Sequence, residues 1–482
     1  MFPKTVSSKQ NVVYAKNTDK YLLLLAERKE CIPMGRLFGT DGVRGIANGT
    51  LTCELAMNIG RAAACVLTAN TEHRPRFIIG SDTRISSDML ISAICAGVTS
   101  VGADVTVLGV VPTPAVAYLV GKYNADAGIM ISASHNPASF NGIKIFSSDG
   151  FKLPDALEEQ IETLIIYNNL GQSVVTDGNI GTVTYSDTAV DDYVLHLRST
   201  INSDLKGLKI AVDCANGSAS KTAHKLFDGL SDNVTILHCT PDGMNINKDC
   251  GSTHLDSLTG FVLKNNCDIG IAFDGDADRC LCIDENGNVV DGDFIMAICA
   301  LDLRSRGKLN KNTVVGTIMT NFGFTKFCEE NNIRFIPTKV GDRFVLEEML
   351  LEDYRFGGEQ SGHIIFTDHA TTGDGQLTAI QLLDVMARNG KKLSELASVM
   401  TRYPQVMVNL TVSQEGKLRF YTDPHIKSAM DEAKKQLSDS GRIVVRPSGT
   451  EPLIRVMTEG MDKEQIETIA NNVAEIIKKR LG

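Results

Sequence analysis

Short runs of apolar residues alternate with longer segments of helical periodicity along most of the chain. The apolar runs predict strands at residues 76–80, 103–111, 127–132, 208–217, 267–276 and 312–319. Strands that alternate with helices are typical of α/β units, in which both faces of a largely parallel sheet are covered. The pattern therefore predicts several α/β units in succession.

The pattern changes near the C-terminus, where residues 441–460 predict two strands around a polar loop and a long helix follows. Asp462 and Gln465 resemble a capping box at the start of that helix. One face of the helix is apolar and carries Ile466, Ile469, Val473 and Ile476. This segment is predicted to form a small α+β unit.

Polar or irregular spacers near 183–193, 286–293 and 400–406 indicate the domain boundaries. Residues 1–33 have no clear period and are predicted to be an extension outside the fold. The domains expected from these spacers are 34–188, 189–288 and 289–400, which are α/β, and 401–482, which is α+β.

Composition narrows the classes of function. The chain has 482 residues and a formal net charge of −10, which disfavours binding to nucleic acid or to an anionic membrane. Twelve cysteines include no C-x-x-C pair, so neither a zinc site nor a disulfide scaffold is indicated, and a cytoplasmic location fits. The apolar run at 22–26 is far too short to span a bilayer. The expected protein binds no nucleic acid and no membrane.

The stretch "GIMISASHNPASFNG" at 128–142 is an apolar strand that ends in small and hydrogen-bonding residues. Pro137 prevents the strand from continuing, so Ser132 to Asn136 are expected on a loop at the end of a strand. Open α/β sheets place their chemistry on such loops. Ser, His and Asn are also ordinary turn formers, and this stretch alone does not separate the two interpretations.

Three carboxylates on alternate residues follow a predicted strand in "DGDADR" (274–279). In an extended backbone Asp274, Asp276 and Asp278 would point the same way and form an oxygen-rich site suited to Mg²⁺. A polar turn is one alternative. An EF-hand loop is another, but Arg279 stands where that loop needs glycine, and the flanks are strand-like rather than helical.

The stretch "VRPSGTEPLIR" (445–455) carries the equipment of a phosphate site around one tight turn. The groups are the side chains of Arg446, Ser448 and Arg455 and the backbone amides of Gly449 and Thr450. Arginine forks, hydroxyls and N–H groups in a concave turn suit a phosphate dianion. The alternative is a plain hairpin with surface arginines.

Further polar groups lie on glycine-containing turns. "GGEQSGH" (357–363) can donate to and accept from sugar hydroxyls through Glu359, Gln360, Ser361 and His363. "FGTDGVRG" (38–45) and "TKVGDRF" (338–344) add basic residues, and the expected anion contacts are Arg44, Lys339 and Arg343.

Together these stretches resemble the α-D-phosphohexomutase superfamily. "SASHNP", "DGDADR", "GGEQSGH" and "RPSGTEP" occur in its order, and the resemblance covers the chain from Met34 to the C-terminus. Within the superfamily, "GRLFGTDGVRG", "DGMNIN", "CGSTH", "TKVGDR" and "TTGDG" are similar to the phosphoglucosamine mutase family. The resemblance implies three similar α/β domains with mixed, largely parallel sheets and a small C-terminal α+β domain around a central cleft.

The resemblance also implies residue roles. Ser134 would carry the phosphoryl group, and Mg²⁺ would bind Asp274, Asp276, Asp278 and a phosphate oxygen on Ser134. The groups expected beside the transferring phosphoryl are Arg44, His135, Lys144 and Arg279. Lys144 is a candidate general acid or base, which requires neighbouring positive charge to lower its pKa. A positioning role is expected for His135.

The implied activity interconverts glucosamine 6-phosphate and glucosamine 1-phosphate. Glucosamine 1,6-bisphosphate, or a related hexose bisphosphate, would be both primer and intermediate. Gln360 is the local feature that favours an amino sugar over the hexoses of a phosphomannomutase or phosphoglucomutase. A non-catalytic protein that binds sugar phosphates is the alternative from another class. A homodimer, and priming of Ser134 by a kinase or by autophosphorylation, stay open.

Overall fold

A computed structural model describes residues 37–39, 41–167, 170, 173–448 and 452–481. The extension expected at 1–33 lies outside these residues, as do Gly449 and Thr450 of the expected phosphate site. Among the helices of the described residues, none is long and apolar enough to cross a membrane.

The first α/β unit has a six-stranded sheet in the order β1-β5-β4-β2-β3-β6. Its strands are β1 (Val43–Ile46), β2 (Arg76–Ser81), β3 (Asp104–Val110), β4 (Ala127–Ile131), β5 (Phe140–Ser147) and β6 (Val183–Tyr185). Its helices are α1 (Cys53–Leu67), α2 (Ser87–Thr99), α3 (Thr113–Lys122) and α4 (Asp155–Ile166). Strands β4, β2, β3 and β6 run parallel, whereas β5 and β1 are antiparallel to their neighbours, so the sheet is mixed.

The second unit has five strands in the order β11-β10-β9-β7-β8. The strands are β7 (Lys209–Asp213), β8 (Asn233–Leu237), β9 (Ile269–Phe273), β10 (Cys280–Asp284) and β11 (Val289–Val290). The helices are α5 (Ala189–Arg198), α6 (Ala219–Phe227) and α7 (Asp256–Asn265). The three aspartates of "DGDADR" lie on the connection between β9 and β10, which pair antiparallel.

The third unit has four strands in the order β13-β12-β14-β15. The strands are β12 (Thr313–Thr317), β13 (Arg334–Thr338), β14 (Phe356–Gly358) and β15 (Ile364–Phe366). The helices are α8 (Gly292–Ser305), α9 (Phe322–Glu330), α10 (Asp342–Leu351), α11 (Gly375–Asn389) and α12 (Leu393–Ala397). The predicted sugar loop connects β14 to β15.

The C-terminal unit is α+β, with an antiparallel sheet in the order β16-β18-β17. The strands are β16 (Gln405–Thr411), β17 (Gly441–Pro447) and β18 (Leu453–Gly460), and the helices are α13 (Gln414–Phe420), α14 (Pro424–Leu437) and α15 (Lys463–Leu481). Asp462 caps α15 by accepting from the Gln465 N–H at 3.1 Å. The Gln465 side chain instead donates to the Gln436 carbonyl, so only half of the capping box forms.

Buried apolar runs explain why the central strands form where the sequence predicts them. Every residue of β4 and of β9 is buried, as expected for strands covered on both faces. One continuous hydrophobic core joins the first three units and includes Met130, Phe273 and Phe324. The C-terminal unit has a core of its own around Ile454 and Ile477. The first three units therefore share one core, whereas the fourth has its own core and is joined to the third by polar contacts such as the bond from the Phe322 N–H to Glu459 Oε2 at 3.0 Å.

Candidate active site

The loop after β4 holds Ser134 in an unusual conformation. Its φ of 53° lies in the left-handed region, which residues other than glycine adopt rarely. The Ser134 N–H donates to Ser132 Oγ at 3.0 Å, which fixes this turn. The Ser134 hydroxyl donates to Asp274 Oδ2 at 2.6 Å. The predicted phosphoryl carrier therefore lies directly against the first aspartate of "DGDADR".

Two residues outside the predicted site hold this loop. Arg84 forms a buried ion pair with Asp82 at 2.9 Å and donates to the carbonyls of Ser134 and Asn136 at 3.0 and 2.7 Å. Asn247, from the second unit, donates to the same Ser134 carbonyl at 2.9 Å. We call Asp82, Arg84 and Asn247 the loop clamp. The clamp explains how a strained loop keeps one conformation.

The three aspartates converge, but not for the expected reason. Asp274, Asp276 and Asp278 offer carboxylate oxygens that all lie within 4.8 Å of one another, and the side chains are buried. An extended backbone was expected to align them. The loop instead turns at Ala277, whose φ is 55°, and this turn brings the carboxylates together.

The carboxylate cluster has the donor set of a divalent cation site. Asp276 Oδ1 and Asp278 Oδ1 are buried and have no hydrogen-bond partner among the described residues. Burial and the two neighbouring carboxylates raise the pKa of Asp274 well above its ordinary value. Burying several negative charges together is unfavourable, and so is burying carboxylate oxygens without a hydrogen-bond partner. A hard divalent ion bound to these oxygens relieves both effects. The residues present therefore fit a bound metal.

Lys144 projects from β5 into the same cluster. Its Nζ lies 2.9 Å from Asp276 Oδ2, 3.4 Å from Asp278 Oδ2 and 3.1 Å from Asp41 Oδ2. Burial would lower the pKa of Lys144, but Asp276, Asp41 and Asp278 outweigh burial and raise it well above the ordinary value. The lowering of this pKa that an acid or base role requires is therefore not present here, because carboxylates rather than cations surround the ammonium.

Two arginines flank the carboxylate cluster. The backbone N–H of Arg279 donates to Asp274 Oδ1 at 3.3 Å, and the Arg279 side-chain Nε lies 3.9 Å from Asp278 Oδ1. Arg44, on β1, forms an ion pair with Asp41. Both guanidinium groups interact favourably with the carboxylates of Asp276 and Asp278, and their place beside a transferring phosphoryl group stays a prediction.

His135 lies beside the Ser134 hydroxyl, with Nδ1 3.5 Å from Oγ. Burial, together with Arg279 and Arg44, lowers the pKa of His135 to about 4. The imidazole is therefore neutral at neutral pH. A neutral ring nitrogen near the hydroxyl can accept a proton, in addition to the positioning role that the sequence suggests.

The predicted sugar loop divides into two kinds of residue. Glu359 accepts from the Gly341 N–H at 3.1 Å, and burial raises the pKa of its carboxyl. Ser361 is exposed at the loop tip. The Gln360 side chain hydrogen-bonds Asp291, which caps α8. Glu359 and Ser361 therefore fit the predicted sugar contacts, whereas Gln360 has a structural partner.

His363 was also predicted to contact the sugar, but it is only 3% exposed. Its Nδ1 lies 3.7 Å from Asp278 Oδ2 and its Nε2 lies 3.6 Å from Asp342 Oδ2. The Gly373 N–H points at Nε2 from 3.1 Å. A sugar hydroxyl has no surface of His363 to reach, so this ring supports the aspartate loop instead.

The predicted phosphate anchor places two like charges face to face. Arg446 on β17 pairs directly with Arg455 on β18. Burial and Arg455 lower the pKa of Arg446. Like charges directly opposite each other on a sheet are unfavourable, and a bound phosphate would compensate both. Ser448 is buried next to them, with its N–H on the Leu453 carbonyl at 2.8 Å.

The remaining predicted anion contacts do not join this site. Lys339 is exposed, with its Nζ 5.6 Å from the centre of the Phe344 ring. Arg343 donates to Asp155 at 2.6 Å and to Glu347 at 2.8 Å. Carboxylates occupy the Arg343 fork and join α10 to α4, which disfavours the predicted phosphate contact of this residue.

The chain matches known proteins over most of its length. Residues 35–170, 191–287 and 291–403 match the phosphoglucomutase/phosphomannomutase alpha/beta/alpha domains I, II and III, and residues 407–476 match the C-terminal domain. A phosphoglucosamine mutase of Acetivibrio thermocellus is 54% identical over 449 residues, which are 93% of this chain and 100% of that protein. The chain belongs to the phosphoglucosamine mutase family. The Clostridium acetobutylicum phosphoglucosamine mutase is 52% identical over 447 residues, which are 93% of this chain and 100% of that protein.

Solved structures show the same fold at much lower identity. A phosphoglucomutase/phosphomannomutase family protein from Burkholderia thailandensis has a TM-score of 0.80 and 22% identity over 93% of this chain and 98% of that one. The Aspergillus fumigatus N-acetylphosphoglucosamine mutase, solved with GlcNAc-6P and magnesium, has a TM-score of 0.67 and 17% identity over 96% and 98%. The predicted fold class, with three α/β units and one α+β unit, is confirmed.

Membership of the phosphoglucosamine mutase family makes the chain an isomerase that acts on small-molecule sugar phosphates. Sequence reasoning nevertheless missed the loop clamp. Asp82 and Arg84 directly follow the predicted strand at 76–80, and charged residues at a strand end are the signal that could have found them. Asn247 belongs to "DGMNIN", which the sequence marks as a family motif but without a role.

Proposed function

We propose that this chain interconverts glucosamine 6-phosphate and glucosamine 1-phosphate through a phosphoryl group carried on Ser134. The observation that carries the proposal is the 2.6 Å hydrogen bond from the Ser134 hydroxyl to Asp274. It holds a potential phosphoryl acceptor against a buried cluster of three carboxylates. A phosphate at Ser134 would add negative charge there, so the arrangement makes chemical sense only if a cation is bound as well.

The reaction consists of two opposite transfers. In the first, the bond between phosphorus and Ser134 Oγ breaks, a bond from phosphorus to the free sugar hydroxyl forms, and the hydroxyl proton leaves to a base. The bisphosphate then turns over, and its other phosphoryl group returns to Ser134 Oγ while the sugar oxygen takes up a proton. The phosphoryl group has then moved between O6 and O1, and the enzyme is unchanged.

Positive charge around Ser134 supports these transfers. Phosphoryl transfer passes through a loose transition state, so catalysis consists mainly of positioning and charge stabilisation. Arg44, Lys144 and Arg279 supply fixed positive charge on this chain. Mg²⁺ held by Asp274, Asp276, Asp278 and a phosphate oxygen on Ser134 would supply further neutralisation of the transferring group.

Two side chains can exchange the proton. The three carboxylates around Lys144 raise its pKa, which opposes proton donation, and a cation bound to Asp276 and Asp278 would weaken that effect and make Lys144 suited to protonate a leaving oxygen. His135 is neutral and 3.5 Å from Ser134 Oγ, so it is suited to accept one. We assign the acid role to Lys144 and the base role to His135.

The other end of the substrate needs an anchor that accepts two orientations. Arg446, Arg455 and Ser448 would hold the phosphate that is not transferred, because two facing arginines offer parallel donors to its oxygens. Glu359 and Ser361 would hold sugar hydroxyls. Each of the four loops of the site then belongs to a different domain, if the domains are 34–188, 189–288, 289–400 and 401–482.

Glucosamine 1,6-bisphosphate, or a related hexose bisphosphate, would prime Ser134 as well as form during turnover. Priming by a kinase or by autophosphorylation, and assembly as a homodimer, stay predictions. A cytoplasmic location is also proposed, because the cysteines of the described residues are free thiols and the substrate is a sugar phosphate.

The decisive experiment compares purified protein on glucosamine, glucose and mannose 6-phosphates with Mg²⁺ and a trace of the matching bisphosphate. We expect kcat/KM to be highest for glucosamine 6-phosphate, with lower but measurable activity on the other two, because a hydroxyl can replace an amine as a hydrogen-bond partner. Gln360→Met is the control and should leave this ranking unchanged, since its side chain bonds to Asp291. A clear preference for glucose or mannose phosphate would overturn the substrate assignment.

A further inference from the structure

Three metal-binding side chains meet in the second α/β unit, away from the three aspartates. Asp213 ends β7, His238 directly follows β8, and Cys250 lies in the loop that begins after it. Each offers one ligand atom, and these atoms all lie within 4.8 Å of one another. The Asp213 and Cys250 side chains are buried, whereas 29% of the His238 side chain is exposed. The cluster therefore has a closed base and one open side.

The contacts inside the cluster leave ligand positions available. His238 Nδ1 lies 2.9 Å from Asp213 Oδ2, and its Nε2 lies 3.5 Å from Ser257 Oγ. Asp213 accepts one N–H on each oxygen, from Ala215 at 2.8 Å and from Gly251 at 2.9 Å. Each carboxylate oxygen has a second lone pair. The two backbone bonds thus orient the carboxylate in the way that outer-shell partners orient a metal ligand.

We propose that Asp213, His238 and Cys250 bind a borderline divalent metal such as Zn²⁺. The Cys250 S–H bond would lose its proton to solvent, and the thiolate would bind the metal with the imidazole and the carboxylate. Nitrogen and sulfur ligands select zinc-like ions, whereas the all-oxygen aspartate loop suits magnesium. Three protein ligands and an open side leave the fourth tetrahedral position to water.

Local spacing in the sequence argued against a zinc site because no C-x-x-C pair is present. The three ligands here lie far apart along the chain and meet only because β7 and β8 are neighbours in the sheet. The missing C-x-x-C pair therefore speaks only against a local motif and does not bear on a site built by the fold.

The proposed metal would lie next to the support of the phosphoserine loop. Asn247 shares its loop with Cys250, and its side chain donates to the Ser134 carbonyl at 2.9 Å. Its N–H donates to the Ala215 carbonyl at 2.9 Å, two residues beyond Asp213. A metal would tie β7, β8 and this loop together. Binding should therefore raise the thermal midpoint of unfolding.

Cobalt titration of the metal-free full-length protein, in excess Mg²⁺, tests the site. Co²⁺ bound to a thiolate gives a sulfur-to-metal charge-transfer band that carboxylate sites do not give. We expect this band to saturate at one Co²⁺ per chain, to vanish on addition of Zn²⁺ and to be lost in Cys250→Ser. Asp276→Asn should keep the band, because it changes only the oxygen site.

Two further variants make the result specific. Cys239→Ser removes a half-buried thiol whose Sγ lies 3.7 Å from His224 Nε2, and it should keep the band. His238→Asn should weaken Co²⁺ binding about tenfold or more. Asn tolerates the left-handed backbone of His238, whose φ is 46°. His238→Asn therefore tests metal binding at this cluster even if Cys250→Ser fails to fold. Absence of the band in the wild type, or a band of unchanged affinity in His238→Asn, would overturn the proposal.

Discussion

Arg84 and Asp82 form an ion pair whose side chains are both fully buried, with Arg84 Nε 2.9 Å from Asp82 Oδ2. Arg84 uses its other N–H groups on carbonyl oxygens of the Ser134 loop and of the start of β5, including those of Pro137 at 2.5 Å and Phe140 at 3.0 Å. A buried charge is costly unless it is paired and hydrogen-bonded, and here it is both. The pair therefore fixes the loop rather than merely filling space beneath it.

Arg84→Lys should preserve the charge but lose most of these bonds, because lysine lacks the guanidinium fork. We expect kcat to fall roughly 10- to 100-fold through misplacement of Ser134, with KM nearly unchanged. Steady-state kinetics and a thermal melt check this. Arg74→Lys is the matched control, since its ion pair with Asp104 is partly exposed and far less buried than that of Arg84. Equal kcat values for the two variants would contradict the clamp.

Asp276→Asn should weaken metal binding and activity together, because one of three converging carboxylates loses its charge. We expect the Mg²⁺ concentration that gives half-maximal activity to rise roughly 10-fold or more. Activity measured against free Mg²⁺, with EDTA as the zero point, provides the check. Wild-type activity that persists in EDTA would show that the aspartate loop is not a metal site.

Strands β2, β3, β4, β7, β9, β12, β17 and β18 were predictable because short apolar runs mark them in the sequence, whereas the other strands of the described residues were not predicted. The strands predicted at 127–132 and 267–276 contain the observed strands β4 and β9. Strand β5 was not predicted, because its Asn141 and Lys144 look exposed in the sequence and are buried only by partners from elsewhere. The short strands β6 and β11 lack enough residues to show a period.

Arg446→Ala should mostly raise KM, by roughly 10- to 100-fold, because the anchor phosphate is bound alike in ground and transition states. Arg343→Ala is the matched comparison. Its guanidinium is engaged by Asp155 and Glu347, so we expect KM within about twofold of wild type and a lower melting temperature. Michaelis profiles of both variants show which arginine binds the anchor phosphate. A larger rise in KM in Arg343→Ala than in Arg446→Ala would contradict the assignment of Arg446.

The pH dependence of stability should depend on Asp374. Burial raises the pKa of this carboxyl to about 7, and the Tyr193 hydroxyl bonds to both of its oxygens at 2.9 and 2.8 Å. The folded state keeps a proton that the unfolded chain releases near pH 4. The stabilising contribution is therefore fully present below about pH 4 and is lost as pH rises through about 7.

Asp374→Asn removes this titration. Its melting temperature relative to wild type should rise by a few degrees between pH 4 and pH 8, since the linked free energy is at most about 4 kcal/mol. Tyr193→Phe is the second variant, and it should shift the titration of Asp374 instead of removing it. Loss of its hydroxyl should raise the pKa of Asp374 further and extend the decline in stability to higher pH. Parallel melting curves for all three proteins would refute the role of Asp374.

The residue types of the candidate site were predictable, but several partners were not. Motifs mark Ser134 and the aspartates because each lies directly after a buried strand. Arg343 and His363 were assigned from glycine-rich surroundings, which do not reveal that carboxylates from other elements surround them. Arg84 reaches the Ser134 carbonyl from a neighbouring strand end of the same unit, and Asn247 reaches it from the second unit. The local sequence marks the charged strand end but does not show either approach.

The position of the phosphate on the enzyme tests the phosphoryl-carrier role most directly. Protein incubated with glucosamine 1,6-bisphosphate and Mg²⁺ should show, by peptide mass spectrometry, one phosphate on Ser134. Ser132→Ala should keep it, because the Ser132 hydroxyl donates to Asp82 and is not directed at the aspartate loop. Ser134→Ala should lack the phosphate and lose turnover while keeping its melting temperature. A phosphate located on Ser132, or substantial mutase activity in Ser134→Ala, would contradict the mechanism.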